Sequence, residues 1–370
     1  MMAAAPGGGP AGGPPGKPGA KPGGQSSAGP GNDALGLAFN NADSLCRTGD
    51  GAMHTLYVED GALKHSRDGG APTTLSKGPV SLVSIATDGR AVVLAAWAEG
   101  RPPSIKIAWS ADDGKTWTPA STLSNTGTAP SLRVWRSGDD TLAAVAWHEG
   151  GGPREDTPSH VFGAIYSKGA WSKPTQIDHS TRSAAWASLG GYGDKTWAVW
   201  RDNRGSDAQR WYLYLSAFNG QSWDTERPLN IEGHDPSVCM TDNGRMHIGY
   251  HHKIDAFYTY SDDGGTTWAT PRLLDKGLFV QAECKGDTVA LVYERMVKEG
   301  SFMDPKNKGV GLYVSNDAGK TFEQIPVGKG ETGMVRPSAV FTPEGLTVEW
   351  VDQSGDVPKL STQKVSTHAK

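Results

Sequence analysis

Ionisable side chains recur in this chain directly after short apolar segments that end in an aromatic residue. The four fullest cases are Trp147-His148-Glu149, Trp200-Arg201-Asp202, Tyr250-His251-His252 and Tyr293-Glu294-Arg295. An arginine can pair with a carboxylate through two parallel hydrogen bonds, and a neutral histidine can both donate and accept one. Side chains of these types, converging from different segments, would suit an acidic ligand.

The candidate ligand-binding residues extend this pattern to the other segments and to the links between them. They are Glu99, Arg101, His148, Glu149, His160, Arg201, Asp202, Arg204, Asp235, His251, His252, Arg295 and Arg336. An acid two residues after the aromatic recurs in five of seven segments, which favours a structural acceptor for loop amides over a catalytic group. The departures from the repeat are the better functional candidates. Catalytic residues stay unassigned, with candidates at Glu283, Glu294, His148 and Tyr293.

A turn sequence, Ser-x-Asp-x-Gly-x-Thr-aromatic, marks the elements that must position these side chains. Its three full copies have the signature residues Ser110, Asp112, Gly114 and Trp117, then Ser261, Asp263, Gly265 and Trp268, then Ser315, Asp317, Gly319 and Phe322. The pattern predicts a hairpin in which the aspartate binds turn amides, the glycine takes a positive φ, and the aromatic packs beside the next strand. We expect these turns to be structural.

Weaker copies of the turn extend the repeat along the chain. The marker serines run from Ser66 to Ser361 at spacings of 44 to 57 residues, which is the size of a four-stranded unit. The aromatic segments give the same count, seven. The sequence therefore predicts an all-β fold, a seven-bladed β-propeller of four-stranded blades over residues 34–370. Residues 35–41 are expected to supply the missing outer strand of the last blade.

Composition limits the remaining possibilities. Residues 1–33 are dominated by Gly, Pro, Ala and Ser, which predicts a disordered tether with no apolar signal segment. No run of about 20 apolar residues could span a membrane, and the net charge of −4 gives no case for nucleic acid. Three cysteines without clustered spacing argue against a disulfide framework or a zinc site, and favour small buried residues. We expect neither a metal nor a cofactor.

The repeated turns resemble the Asp-box of sialidase-type β-propellers. The resemblance covers residues 79–370, and it implies that the face opposite the turns carries the site. It also implies a catalytic Glu and an Arg in the stretch from Gln281-Ala282-Glu283 to Tyr293-Glu294-Arg295, and a third Arg at Arg336. Sialidases need three arginines around the substrate carboxylate, but here Lys77-Gly78-Pro79 replaces the first. Sialidase turnover is therefore not expected.

Three hypotheses follow for function. The first is an extracytoplasmic propeller that binds a glycan, acidic by preference, or an envelope protein, with a lipid or envelope tether at its N-terminal segment. The second is a carbohydrate-active enzyme, either a divergent sialidase-like glycosidase or a uronate lyase. A set of His and Arg side chains such as His148, His160 and Arg201 is similar to that of polysaccharide lyases. The third is a scaffold subunit of a protein complex.

Overall fold

The computed structural model describes residues 35–39, 41–151, 158–205, 207, 209–328 and 332–367, so the predicted tether lies outside the described residues. Within these ranges every regular element is a β-strand except one 3₁₀ turn at Pro305–Asn307. The strands form antiparallel sheets arranged as a β-propeller, which confirms the predicted all-β class. None of the helical structure described is long and apolar enough to cross a membrane.

The first half of the chain forms four sheets. The first contains β1 (Leu35–Gly36), β2 (Leu45–Arg47), β3 (Met53–Glu59), β4 (Ala62–Arg67) and β5 (Thr73–Ser76). The second contains β6 (Val80–Thr87), β7 (Val93–Glu99), β8 (Ser104–Ser110) and β9 (Ser121–Ser124). The third contains β10 (Thr128–Ser137), β11 (Asp140–Gly150), β12 (Ser159–Ser167), β13 (Ala170–Trp171) and β14 (Thr175–Gln176). The fourth contains β15 (Ala184–Tyr192), β16 (Lys195–Asp202), β17 (Tyr212–Phe218) and β18 (Arg227–Glu232).

The second half is less regular. A seven-stranded sheet contains β19 (His234–Met240), β20 (Met246–His252), β21 (Asp255–Ser261), β22 (Arg272–Lys285), β23 (Thr288–Met296), β24 (Lys308–Ser315) and β25 (Glu323–Gln324). A three-stranded sheet contains β26 (Met334–Thr342), β27 (Gly345–Asp352) and β28 (Lys359–Val365).

The prediction of seven four-stranded blades is wrong. Among the described residues, five sheets have the four or more strands of such a blade. The difference arises in the second half, where the first part of β22 pairs with β21 and its second part with β23. One continuous strand thus joins two units that the sequence repeat counts separately. The last unit stays at three strands.

The N-terminal segment also pairs differently from the prediction. Leu35–Gly36 lies beside Val58 and Glu59 of β3 in the first sheet rather than beside the last sheet. The strand β2 covers only the start of β3, at residues 53–55. The backbone groups at the other end of β3 are therefore available to β1.

The aromatic residues of the repeated segments form the core, as predicted. Trp97, Trp147, Trp200 and Tyr293 are fully buried on the second strands of their units. Six consecutive residues of β7 and of β20 are buried. Because successive side chains of a strand face opposite sides, such strands must be packed on both faces.

The three full turn sequences have the predicted local hydrogen bonds. In the copy at Asp112, the carboxylate accepts from the Ser110 hydroxyl at 2.8 Å and from the Thr116 amide at 2.8 Å. Asp263 and Asp317 accept equivalent bonds, and Gly114, Gly265 and Gly319 have φ of 72°, 83° and 80°. The turn aromatics are half-buried, and two of them pack on the preceding unit of the repeat, Trp117 on His65 and Phe322 on Tyr258, each with ring centroids 4.9 Å apart. These contacts are structural.

The interpretation of the cysteines needs one correction. Cys239 and Cys284 form a disulfide, whereas Cys46 is free and buried. The two bonded residues lie on β19 and β22, neighbouring first strands whose Cα atoms are 5.5 Å apart there. The sequence could not predict this spacing because their positions within the repeat differ by one residue.

Candidate functional site

The face that bears the loops between second and third strands, here called the loop face, has an unusual backbone at its centre. Among the described residues, the first strand of six units is interrupted near its start by a shift in pairing register. At five of these shifts, all but that of β6, lies a non-glycine residue with φ between 48° and 58°: Ala129, Trp186, Asp235, Phe279 and Arg336. A left-handed conformation costs an L-residue roughly 1–2 kcal/mol, and such strain concentrates at functional sites.

A girdle of hydrogen bonds ties neighbouring first strands together, and four of its five acceptors, Ser131, Ser188, Ser237 and Gln281, lie two residues beyond one of these positions. In each link, a side-chain oxygen accepts from a backbone N–H of the next strand at 3.0–3.2 Å. The pairs are Ser84–Leu132, Ser131–Leu189, Ser188–Val238, Ser237–Ala282 and Gln281–Ala339. The girdle fixes the register of the strands, and thus the direction in which the strained residues project.

Arg201 lies in the middle of the side chains that project there. Its guanidinium is 2.9 Å from Asp235 Oδ1 and donates to Nδ1 of His234 at 3.3 Å. The same group stacks over the ring of Trp211 at 4.6 Å and over that of Trp186 at 6.0 Å. Arg201 is therefore held in one orientation by an ion pair and two aromatic surfaces.

Three histidines surround this arginine, and burial is the main cause of a lowered pKa in each. The pKa of His148 falls to about 3, and those of His234 and His251 fall to about 4, with the charge of Arg201 adding to the effect. These rings are therefore neutral at physiological pH. His234 accepts the Arg201 hydrogen bond at Nδ1, so its proton resides on Nε2.

His148 and His251 differ in what their ring nitrogens do. Nδ1 of His148 accepts from the Trp186 amide at 3.4 Å, so this histidine can donate from Nε2 but is not placed to remove a proton with Nδ1. His251 stacks on His234 at 5.6 Å and meets the edge of Phe279 at 5.4 Å. Its Nδ1 is buried and has no hydrogen-bond partner among the residues that the structure describes.

Phe39, from the N-terminal segment, completes this arrangement. Its ring centroid lies 5.2 Å from that of Trp186 and 5.3 Å from that of Phe279, and Arg336 lies over it at 5.1 Å. We call these residues the axial cluster: Phe39, His148, Trp186, Arg201, Trp211, His234, Asp235, His251, Phe279 and Arg336. Five of them were predicted as ligand-binding: His148, Arg201, Asp235, His251 and Arg336.

The periodic acids lie elsewhere and serve as acceptors. Glu99 accepts from the indole of Trp97 at 2.9 Å, and Glu149 accepts from that of Trp147 at 2.8 Å. Asp202 binds Ser180 Oγ at 3.0 Å and pairs with Arg204 at 2.6 Å. The structural interpretation of the repeat accounts for these contacts.

The other predicted binding residues also lie outside the axial cluster. His160 binds Asp178 at 3.0 Å, and Arg295 pairs with Asp275 at 2.7 Å. His160 and His148 face opposite sides of their sheet, because Glu149 pairs with His160 whereas His148 pairs with Val161. Arg101 is exposed, and His252 is half-exposed.

The carboxylate and tyrosine candidates for catalysis are not at the cluster in a reactive form. Glu294 is buried and accepts from the Arg336 amide at 2.8 Å and from Lys308 Nζ at 2.7 Å. Tyr293 is fully buried, and this burial raises its pKa above the usual range. Glu283 lines a separate cavity along the axis, where burial and the nearby Asp43 raise its pKa well above 4.5. No three His, Cys, Asp or Glu side chains within the described ranges are grouped to hold a metal.

The sequence analysis missed Phe39, Trp186, Trp211 and Phe279. A signal for two of them is present, because Trp186 and Phe279 lie two residues before the girdle positions Ser188 and Gln281. The same spacing reads Ala-Pro-Ser at Ser131, Asp-Pro-Ser at Ser237 and Arg-Pro-Ser at Ser338. Aligning the segments on the girdle residues would have shown which residues lie two positions before them and thus near the propeller axis.

No family model matches the chain, and no curated protein matches it. Solved structures do. The polysaccharide lyase Uly1 aligns with a TM-score of 0.56 at 9% identity, covering 92% of this chain and 93% of its own. A PL25 ulvan lyase gives 0.55 at 11%, covering 90% and 93%. An α-L-arabinofuranosidase of Fusarium graminearum, with an iminosugar inhibitor, gives 0.50 at 11%, covering 76% and 97%.

Sialidases and an α-L-arabinanase are further neighbours, with TM-scores of 0.47–0.49. At such identities the likeness concerns the fold. The chain is a β-propeller whose structural neighbours are carbohydrate-active propellers.

Proposed function

We propose that this protein binds an acidic polysaccharide at the axial cluster and does so without sialidase turnover. The observation that carries the proposal is the position of Arg201, stacked on Trp211 and surrounded by three neutral histidines. Aromatic faces bury the apolar side of a sugar ring, while neutral imidazoles donate to and accept from its hydroxyl groups.

The charges at the cluster favour an acidic sugar over a neutral one. Two cations of the axial cluster, Arg201 and Arg336, stand against one carboxylate, Asp235, and the neighbouring Lys308–Glu294 ion pair adds no net charge. The excess is positive, and an arginine recognises a carboxylate with directional hydrogen bonds.

The positions of the candidate nucleophile and its activating glutamate support the proposed absence of sialidase turnover. That reaction needs a tyrosine nucleophile activated by a glutamate. Here Tyr293 is buried in the core and Glu283 lines the axial cavity. The replacement of the first clamp arginine by Gly78-Pro79 agrees with this.

We further propose an extracytoplasmic location, with residues 1–33 as a tether to one propeller domain. The Cys239–Cys284 disulfide supports it, because disulfides persist in oxidising compartments. An envelope protein that carries acidic groups stays the alternative ligand.

A uronate lyase is the second candidate, and His251 is the observation that favours it. Its neutral ring has a buried Nδ1 to which no described residue hydrogen-bonds, and it lies close to the arginine that would neutralise a substrate carboxylate. Such a base could remove the proton α to the carboxylate, after which elimination breaks the bond to the leaving sugar. The similarity of fold to polysaccharide lyases is compatible with this chemistry.

The experiment compares Arg201→Met with a matched control. Arg245→Met also removes an arginine that stacks on an aromatic ring, Tyr260 at 4.3 Å, and pairs with an aspartate, but it lies on the opposite face. Each protein is titrated calorimetrically with polygalacturonate, alginate, sialyllactose and neutral arabinan. We expect Arg201→Met to weaken binding of the acidic polymer at least about tenfold, and Arg245→Met to leave it unchanged.

His251→Gln serves as a second probe in case Arg201→Met lowers stability. Absorbance of the unsaturated product and release of a fluorogenic sialoside product are followed in parallel. Unsaturated product that disappears in His251→Gln would establish the lyase, and sialoside hydrolysis would refute the absence of sialidase turnover. Binding to none of these glycans would defeat the glycan proposal and favour a protein ligand or a scaffold role.

A further inference from the structure

The N-terminal segment is built into the centre of the loop face. Nδ2 of Asn41 donates to the carbonyl groups of Ala129 at 3.2 Å and of Ala187 at 3.1 Å, and so bridges β10 and β15. The Asp43 carbonyl accepts from the Ile85 amide at 2.9 Å, and the Ser44 amide donates to Ser338 Oγ at 3.4 Å. The segment is therefore tied to four different sheets.

These ties hold Phe39 over the axis. Leu37 and Ala38, just before it, are buried at 1% and 3% exposure, whereas Phe39 is half-exposed. Its contacts with Trp186, Phe279 and Arg336 come from three sheets. One face of the ring is thus packed, and the remaining surface is accessible within the axial cluster.

A cavity of about 470 Å³ lies beneath, along the axis. Asn41 and Asp43 of the same segment line it, together with Ser188 and Glu283 of the first strands. Asn41, which bridges Ala129 and Ala187, lies at the end of this cavity towards the loop face, and Phe39 lies outside the cavity lining. Truncation of the phenyl ring would leave a depression between Trp186, Phe279 and Arg336, where the ring now lies.

We propose that Phe39 is a specificity-determining residue, which fills the axial position and restricts the site to internal stretches of an acidic polysaccharide. This inference rests on the proposed function. With the phenyl ring present, the loop face has no depression for the terminal sugar of a polysaccharide. The polymer therefore lies across the loop face with one sugar over Phe39. Without it, a terminal sugar can enter the depression, and chain ends become distinguishable.

The test uses oligogalacturonides as a dimer, a tetramer and a hexamer, each with a free or a borohydride-reduced end. Wild-type protein should bind the hexamer more tightly than the dimer and treat free and reduced ends alike, within about twofold. Phe39→Ala should bind the hexamer about tenfold more weakly and distinguish free from reduced ends by at least about fivefold. Phe39→Leu keeps the position filled, so it should lose affinity but remain insensitive to the end.

Phe218→Ala is the matched control, because Phe218 is a half-buried aromatic on the opposite face that packs on Trp223 at 5.5 Å. It should behave as wild type, and melting temperatures establish that each variant folds. Wild-type binding that is lost in Arg201→Met but unchanged in Phe39→Ala would overturn this inference alone. The inference would also be overturned if Phe39→Leu distinguished free from reduced ends as strongly as Phe39→Ala does. If wild-type protein binds no acidic glycan, the proposed function fails, and this inference fails with it.

Discussion

Asp235 Oδ1 lies 2.9 Å from the guanidinium of Arg201 and joins β19 to the end of β16. Asp235 is buried and has a φ of 48°, a conformation that asparagine also tolerates. Its carboxylate partly neutralises the positive charge of Arg201, which would attract an acidic ligand. The pair therefore orients Arg201 while moderating its attraction for anions.

Asp235→Asn should consequently tighten binding of an acidic glycan several-fold. The amide keeps the shape and one acceptor oxygen for Arg201, but it removes a negative charge next to the ligand. Calorimetry at low and high ionic strength is the measurement, and the variant should show the steeper salt dependence. Weaker binding at low salt would show that the carboxylate contributes more by orienting Arg201 than it loses by offsetting the arginine's charge.

His251 should make the folded state less stable as the pH falls. Its pKa is about 4 in the folded protein against an ordinary 6.5, so between these values the unfolded chain binds more protons. The contribution to stability is complete above pH 6.5 and is lost as the pH falls towards 4. We expect the stability of His251→Gln relative to wild type to rise by about 3 kcal/mol as the pH falls across that interval. Denaturant unfolding at several pH values checks this, and a difference that stays constant with pH would contradict it.

Glu349 should show the opposite dependence. Burial raises its pKa to about 8, and its Oε1 lies 3.5 Å from Thr55 Oγ1. Within the described part of the chain its Oε2 has no hydrogen-bond partner. Above pH 4.5 the unfolded chain ionises while the folded chain holds the proton, so stability is lost as the pH rises from 4.5 towards 8. Glu349→Gln should therefore stabilise the protein by about 1–3 kcal/mol at pH 7.5 and add little at pH 4. An equal effect at both values would refute this account.

Asp263→Ala should lower the melting temperature without changing ligand affinity. The carboxylate accepts from the Ser261 hydroxyl, the Thr267 amide and the Thr267 hydroxyl at 2.6–2.8 Å, all within a turn on the face opposite the axial cluster. Asp139→Ala, at an exposed turn position on the same face, is the control and should leave the melting temperature unchanged. Lost affinity with unchanged melting would place the binding site on the turn face instead.

The sequence predicted what depends on local, repeated chemistry. The turns at Asp112, Asp263 and Asp317 form because every hydrogen bond joins residues within a few positions of one another. Arg201 was predicted because it interrupts a periodic pattern. The predicted number of blades was wrong because the turns and aromatic residues mark only the units of the sequence repeat. Where one sheet ends depends on hydrogen bonding, and β22 pairs with strands of two such units.

The aromatic part of the axial cluster was beyond this reasoning for a different reason. Trp186 and Phe279 have the composition of core residues, and only a left-handed φ turns their side chains to the axis. Phe39 has no counterpart in the repeat at all. Arg295 looked as suitable as Arg201, but its sheet position gives it Asp275 as a partner instead.

The hydrogen bond between Ser44 and Ser338 connects residues 294 positions apart. The conformational entropy of the intervening chain is lost before such contacts can stabilise the fold. Contacts between residues far apart in sequence therefore form late and slow folding. During synthesis the segment around Phe39 emerges first, yet its partners on β15, β22 and β26 emerge afterwards. The first described stretch of the chain is therefore expected to dock last, so the binding site becomes complete only when the whole propeller has folded.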